Sequence, residues 1–376
     1  MQQPTPGTNR FAHYRKQPMM LGIFATNGSA SVGINTVPSS YELSWDHSLA
    51  IAELADGIGF ELFMPLSRWR GFGGVSNYAA ETYETLTYMA AVAAVTRRVM
   101  TIVTLHLPVV HPVLAAKAIA TIDHVSRGRG GINMVMGWYK AEMGMFGLAP
   151  HAAEDRYVYG AEWLEVVQRL WTENKPFDHE GRFFQLKDCI SDPKPIQARP
   201  PIVSAAMSES GVRFASQHAD LTFASFHGHE HLREHSRNLR RVAKDAGNPD
   251  VGLVCVSIIV CRETEAEAQA FFKHLRDNAD LIAARNLAVQ SGTDVDAVPK
   301  EKQEEFLRDV AMSAGSVALV GSPEQIANQI ADLHAAGVNA LFLGFHDYLK
   351  ELPFFAERVL PILEQMGVRM PVEIAQ

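Results

Sequence analysis

The sequence predicts an α/β chain folded as a (β/α)8 barrel of the TIM type, and three observations carry that expectation. Eight short apolar runs bounded by turn residues recur along the 376 residues, and each gives way to a longer amphipathic run. Hydrophobic residues make up 47% of the chain, enough to fill one large core at this length. Eight buried strands alternating with helices suit a closed parallel barrel better than a doubly wound sheet.

Taken in order, residues 1–19 read as an N-terminal arm, and 20–376 as a single domain with neither an internal repeat nor a Gly/Ser linker. The strands are expected at 20–25, 60–64, 99–105, 131–135, 201–205, 221–224, 252–260 and 339–344. Helices are expected at 41–57, 80–96, 111–125, 157–171, 208–218, 229–246, 265–279, 323–336 and 352–366. Two stretches break this beat. PFDHEGRFFQLKDC alternates apolar residues about a Glu-Gly turn, which predicts an inserted hairpin near 177–186. Residues 281–313 are charged and helix-prone, a helical insertion of the length that builds lids, oligomer contacts or plain packing excursions.

Composition narrows the function. A net charge of -8 argues against nucleic acid as a partner, because backbone phosphates call for a basic face. No window approaches the length of a membrane span, and the basic N-terminal stretch lacks an apolar core after it, so a cytoplasmic location is expected. Cys189, Cys255 and Cys261 are too few and too scattered for a disulfide framework or a metal site. The fifteen histidines are dispersed; HGHEHLREH (227–235) is their densest tract and reads as a solvated loop entering a helix.

Active sites of such barrels lie at the C-terminal ends of the strands. There the sequence places Thr26 and Asn27, then Ser67, Arg68 and Arg70, then Thr104 and His106. Asn133, Trp138 and Glu142 follow at the fourth strand, Met207 and Ser208 at the fifth, and Phe226 and His227 at the sixth. The richest stretch is GINMVMGWYKAEMGMFGLAPHAAEDRY (131–157), with a carboxamide, a flat aromatic, a carboxylate and an arginine at a helix start. Together they suit a large planar ligand carrying an anion. Nucleophile triads, paired catalytic carboxylates and metal clusters are missing from this set, which points to a cofactor for the difficult step. Plainer readings stand beside these. Thr104 also suits ordinary strand packing, Trp138 a core position, Asp155 with Arg156 a helix cap and surface ion pair, and Ser208 an ordinary N-cap. The glycines of RWRGFGG (68–74) lack dinucleotide-fingerprint spacing and read as a loop that brings an arginine to the barrel mouth.

SRWRGFGG, LAAKAIATIDHVSRGRGGINMVMGW, YKAE, DRY, HEGRFF and VGSPEQIANQIADLHAAGVNALFLGF carry a resemblance over residues 20–361. The chain resembles the bacterial luciferase-like FMN-dependent monooxygenases, within them the pyrimidine monooxygenase and dimethylsulfone monooxygenase branch. That resemblance implies a two-component enzyme that takes reduced FMN from a separate NAD(P)H-dependent flavin reductase. With O2 it would form a flavin peroxide, at N5 or C4a, and oxygenate a small electrophilic compound such as a pyrimidine-like N-heterocycle, an amide or a sulfone. Residue by residue, it implies cofactor contacts from Ser67, Arg68, Asn133, Glu142, Arg156, Tyr157 and Ser208, and a catalytic oxygen pocket bordered by Thr104 and Asn133. A substrate pocket is expected from His106, Trp138, Phe226 and His227, with no metal. Barrel helices would join a homodimer or homotetramer. His106 and His111 depart from the less polar pattern of the pyrimidine enzymes, as do Ala205, Ala206 and Met207 from a glycine-rich approach to Ser208. Two rival readings share these residues: a deazaflavin (F420)-dependent oxidoreductase on the same barrel, and a flavin-binding protein without catalysis.

Overall fold

The computed structural model describes residues 10–29, 33–205, 208–224, 228–313 and 316–372. Its strands in chain order are β1 (Met20–Phe24), β2 (Leu62–Met64), β3 (Met100–His106), β4 (Gly130–Val135), β5 (Phe177–Glu180), β6 (Gln185–Cys189), β7 (Ile202–Ser204), β8 (Leu221–Phe223), β9 (Gly252–Cys261), β10 (Val317–Gly321) and β11 (Val338–Phe345). Parallel pairing runs β1-β2-β3-β4-β7-β8-β9-β11, and β11 returns to β1 with Met20 opposite Ala340, closing an eight-stranded barrel. The expected (β/α)8 architecture is therefore present.

The barrel floor explains its closure. Met20, Leu62, Met64, Met100, Ile102, Val203, Leu221, Val254 and Phe342 fill the interior, joined by Phe11 from the helix Arg10–Tyr14. Gly22 of β1 faces this crowd: a Cβ there would stand 2.6 Å from that of Leu62, so only glycine lets the two strands pack at that level. Below the floor, Glu61 and Arg369 form a bidentate pair at 2.9 Å, both essentially without solvent access. Glu61 Oε2 also accepts from Leu21 N, and Arg369 Nη2 donates to Gly59 O, so the C-terminal segment is tied to β1 and the entry of β2.

Four local expectations need correction. β10 was not foreseen: VALVG is too short to separate from the start of a helix, and its pairing along residues 257–261 of β9 is a tertiary contact. The helix expected at 352–366 is two, Tyr348–Arg358 and Leu360–Gln365, because Pro361 has no N–H to continue the ladder. The helices expected from 41 and 80 start at Trp45 and Thr85, where Ser44 and Glu84 cap them. The helix expected from 157 starts at Ala153, so Arg156 ends its first turn behind Glu154 and Asp155, and Tyr157 follows it.

The hairpin β5–β6 is present, and the 281–313 insertion consists of helices Leu281–Gln290 and Lys300–Ser313 joined by a short 3-10 turn. The insertion has its own apolar cluster, in which Ala283, Ala284, Leu307 and Met312 pack with Phe72 and Tyr139 from the loops after β2 and β4. Among the described residues no helix is long and apolar enough to cross a membrane.

Candidate active site

Strand periodicity sets the first half of the site. Met100 and Ile102 point into the barrel, and a period of two places Thr104 and His106 on the same inward face at the C-terminal end of β3. Parallel register sets Asn133 of β4 directly across from Thr104. All three side chains are buried. Thr104 Oγ1 donates its only proton to Pro65 O at 2.7 Å, so toward Asn133 it can only accept. The amide orientation follows: Asn133 Nδ2 donates to Thr104 Oγ1 at 3.2 Å, and Oδ1 is presented without a partner among the described residues. A buried carbonyl oxygen left so costs on the order of 1–3 kcal/mol, which a ligand N–H or O–H removes.

The second half hangs on Glu142, a fully buried carboxylate in the short helix Lys140–Met145. Its Oε1 accepts from Trp69 N at 2.7 Å, Arg70 N at 3.2 Å and Arg68 Nη1 at 3.4 Å, locking the loop after β2. Its Oε2 lies 3.7 Å from His106 Nδ1. That contact is not an ion pair: burial first, and the Arg68 charge second, push His106 down to about 4 and keep the imidazole neutral. The Arg68 guanidinium lies 5.0 Å from the ring of Phe72, 5.1 Å from Trp138 and 5.4 Å from Tyr139, an aromatic enclosure that stabilises the cation while leaving Nε unpartnered.

A third group forms where two helices begin. Ser208 caps the helix Glu209–His218 by accepting from Gly211 N at 3.2 Å, and it donates to Tyr157 Oη at 3.3 Å. Ser210 Oγ is 3.2 Å from Ser208 Oγ. Arg156, one residue before Tyr157, has a buried Nε without a partner among the described residues. Hydroxyls, an arginine and two helix N-termini favour an anion.

The remaining candidates separate by their bonding. Asn27 is a structural tie, with both protons of its amide donated to Leu66 O and Tyr83 O and its oxygen accepting from Leu66 N, so the side chain is held by backbone. Ser67 is buried next to Arg68. Trp138 stacks on Tyr139 at 5.6 Å between ring centres and lines the aromatic enclosure. Met207, Phe226 and His227 lie outside the described residues. Sequence reasoning missed Phe72 and Tyr139, which stack at 5.3 Å; the glycines around Phe72 and the Trp-Tyr pair in GWYK were the available signal. A surface cleft bounded by Glu162, His179 and His218 lies against the hairpin and includes none of the convergent residues.

These donors and acceptors fit a flavin mononucleotide: an acceptor at Asn133 Oδ1, cations at Arg68 and Arg156, aromatic faces at Trp138 and Tyr139, and an anion seat at Ser208. Among the described residues no three His, Cys, Asp or Glu side chains group to hold a metal ion.

A family model described as luciferase-like monooxygenase matches residues 19–340. The chain is 30% identical over 356 residues to the pyrimidine monooxygenase RutA of Acinetobacter baylyi, covering 92% of this chain and 95% of that one. Among solved structures, riboflavin lyase RcaE, determined with a modified FMN and riboflavin, superposes with a TM-score of 0.85 at 21% identity, covering 93% and 92% of the two chains. DmoA of Hyphomicrobium sulfonivorans superposes with a TM-score of 0.81 at 19% identity, covering 93% of this chain and 88% of that one. At such identities the superpositions speak for the fold.

Proposed function

Because the chain belongs to the luciferase-like monooxygenase family, we propose that it is a two-component flavin-dependent monooxygenase, using reduced FMN and O2 to oxygenate a small electrophilic organic compound. One oxygen atom goes to the substrate and the other to water. The compound is a pyrimidine-like N-heterocycle, an amide or a sulfone, and a separate NAD(P)H-dependent reductase supplies the reduced flavin. The reading rests above all on Asn133, whose amide is oriented by Thr104 so that its oxygen is left as a buried acceptor without a protein donor among the described residues. A homodimer or homotetramer in the cytoplasm is part of the same reading.

Reduced FMN would supply the electrons that activate oxygen. The protein's work is to bind, orient and exclude water. Arg156, Tyr157 and Ser208 would hold the phosphate, and Ser67, Arg68 and Asn133 the ring system. Both oxygens of Glu142 face protein groups, so its part in cofactor binding is to hold Arg68 in place. Thr104 and Asn133 border the space for oxygen. His106 and Trp138 face the substrate, as would Phe226 and His227 beyond the described residues.

The test is anaerobic titration with reduced FMN, followed by mixing with O2 while the absorption spectrum is recorded. Tight binding followed by substrate-dependent reoxidation with one oxygen atom in the product, traced with 18O2, is expected. A folded sample that fails to bind reduced FMN overturns the reading and favours a deazaflavin. Binding without substrate-dependent oxygen consumption favours a non-catalytic flavoprotein.

A further inference from the structure

His106 and Glu142 present two buried polar atoms to each other. Nδ1 and Oε2 are 3.7 Å apart, neither is reachable by water, and neither has another partner among the described residues. The carboxylate oxygen can only accept. A lone pair on Nδ1, the ring nitrogen 3.7 Å from that oxygen, would be repelled by its charge, so the proton of the neutral ring is favoured on Nδ1. Glu142 itself is not free to turn away, because Trp69 N, Arg70 N and Arg68 Nη1 hold its other oxygen. Arg68 and Glu142 are the charged groups facing this ring.

The opposite ring nitrogen then has a lone pair and no proton. Nε2 forms no hydrogen bond among the described residues and is not closed off as Nδ1 is. It belongs to an inward-facing side chain two residues beyond Thr104 on β3, at the end of the barrel where the candidate site lies.

We propose that Glu142 is a positioning residue that fixes His106 in its Nδ1–H form, so that His106 Nε2 accepts a hydrogen bond from an N–H or O–H group of the substrate. This rests on the monooxygenase reading for the word substrate, but the tautomer stands apart from it. The consequence is selectivity: a ring N–H or hydroxyl compound is accepted, and its N- or O-methyl counterpart leaves Nε2 buried without a donor.

Two measurements test it. Nitrogen-15 NMR of the protein labelled at histidine, with the His106 signals assigned by their loss in His106→Gln, should show a protonated Nδ1 and a bare Nε2 at neutral pH. Glu142→Gln can offer its amide N–H to the ring and should redistribute the proton. A wild-type ring carrying its proton on Nε2, or carrying two, overturns the proposal. In turnover by the holoenzyme with its reductase, uracil should exceed 1,3-dimethyluracil by at least tenfold in kcat/KM, as should other N–H or O–H compounds their methylated forms. His106→Phe should abolish that ratio while flavin binding is kept. Equal kcat/KM for parent and methylated compounds overturns the substrate half. If no compound is oxygenated at all, the monooxygenase reading fails, and the NMR result alone decides the tautomer.

Discussion

Asn133 Nδ2 donates to Thr104 Oγ1 at 3.2 Å across the β3–β4 ladder, and Thr104 in turn donates to the backbone oxygen of Pro65. The short relay fixes which end of the amide is left without a protein partner among the described residues. Asn133→Ala removes the presented acceptor and Thr104→Ala frees it to rotate. Both variants should lose at least tenfold in substrate-dependent flavin oxidation, and Thr104→Ala should lose about 1–3 kcal/mol of stability in urea titration, the cost of a buried donor without a partner. Unchanged turnover in both would take these residues out of the mechanism.

In flavin binding, Arg156 and Ser208 should act on the phosphate alone. A charge-assisted hydrogen bond contributes about 1.5–3 kcal/mol, so Arg156→Ala should weaken reduced FMN roughly 10- to 100-fold while leaving reduced riboflavin, which has no phosphate, unaffected. Equal losses for both flavins would place Arg156 elsewhere.

The Glu61–Arg369 pair makes a prediction about stability alone. Glu61→Gln leaves a buried guanidinium without its counter-charge and should destabilise the fold by about 3–5 kcal/mol, read as a fall in the urea midpoint. Flavin affinity of the folded fraction should not change, because the pair lies at the opposite end of the barrel.

Acid sensitivity should follow from His106. Its imidazole titrates at about 4 in the folded chain against 6.5 for an unperturbed group, owing mainly to burial and then to Arg68. Above pH 6.5 both states are neutral and it contributes no pH dependence. Between 6.5 and 4 the unfolded chain takes a proton that the folded chain refuses, so stability falls as pH falls, by up to about 3 kcal/mol. His218, His235 and His346 are lowered in the same direction by burial, so His106→Gln should flatten part of the acid limb. An unaltered limb would mean that the ring is already charged in the folded protein.

Much of the barrel was legible because continuous apolar runs and 3.6-residue periodicity are local signals. The relay was partly legible: an asparagine within GINMV had to find a partner, and Thr104 was a named candidate, but their register is a property of the sheet. What sequence could not supply lies in contacts between distant loops. The aromatic enclosure of Arg68 needs Phe72 and Tyr139 side by side, and no spacing rule joins the loops after β2 and β4. Asn27 shows the reverse, since its place after β1 made it a site candidate, while its three backbone bonds make it a brace.

The insertion is fastened to the loop after β2 by two long-range ties: Asp280 accepts from Ser76 N and Oγ, 204 residues apart in sequence, and Asn286 donates to Phe72 O, 214 residues apart. Gly74 stands at φ +74°, and a Cβ there would meet the Asp280 carboxylate at 2.4 Å, so any other residue would be strained and would push Asp280 off Ser76. During synthesis, the loop bearing Arg68 thus emerges long before the helices that seat it. A ribosome-bound chain ending before Asp280 would hold β1 through β9 but neither these helices nor β11, which closes the barrel on β1, so competence to take up flavin should arrive late and abruptly as the chain lengthens.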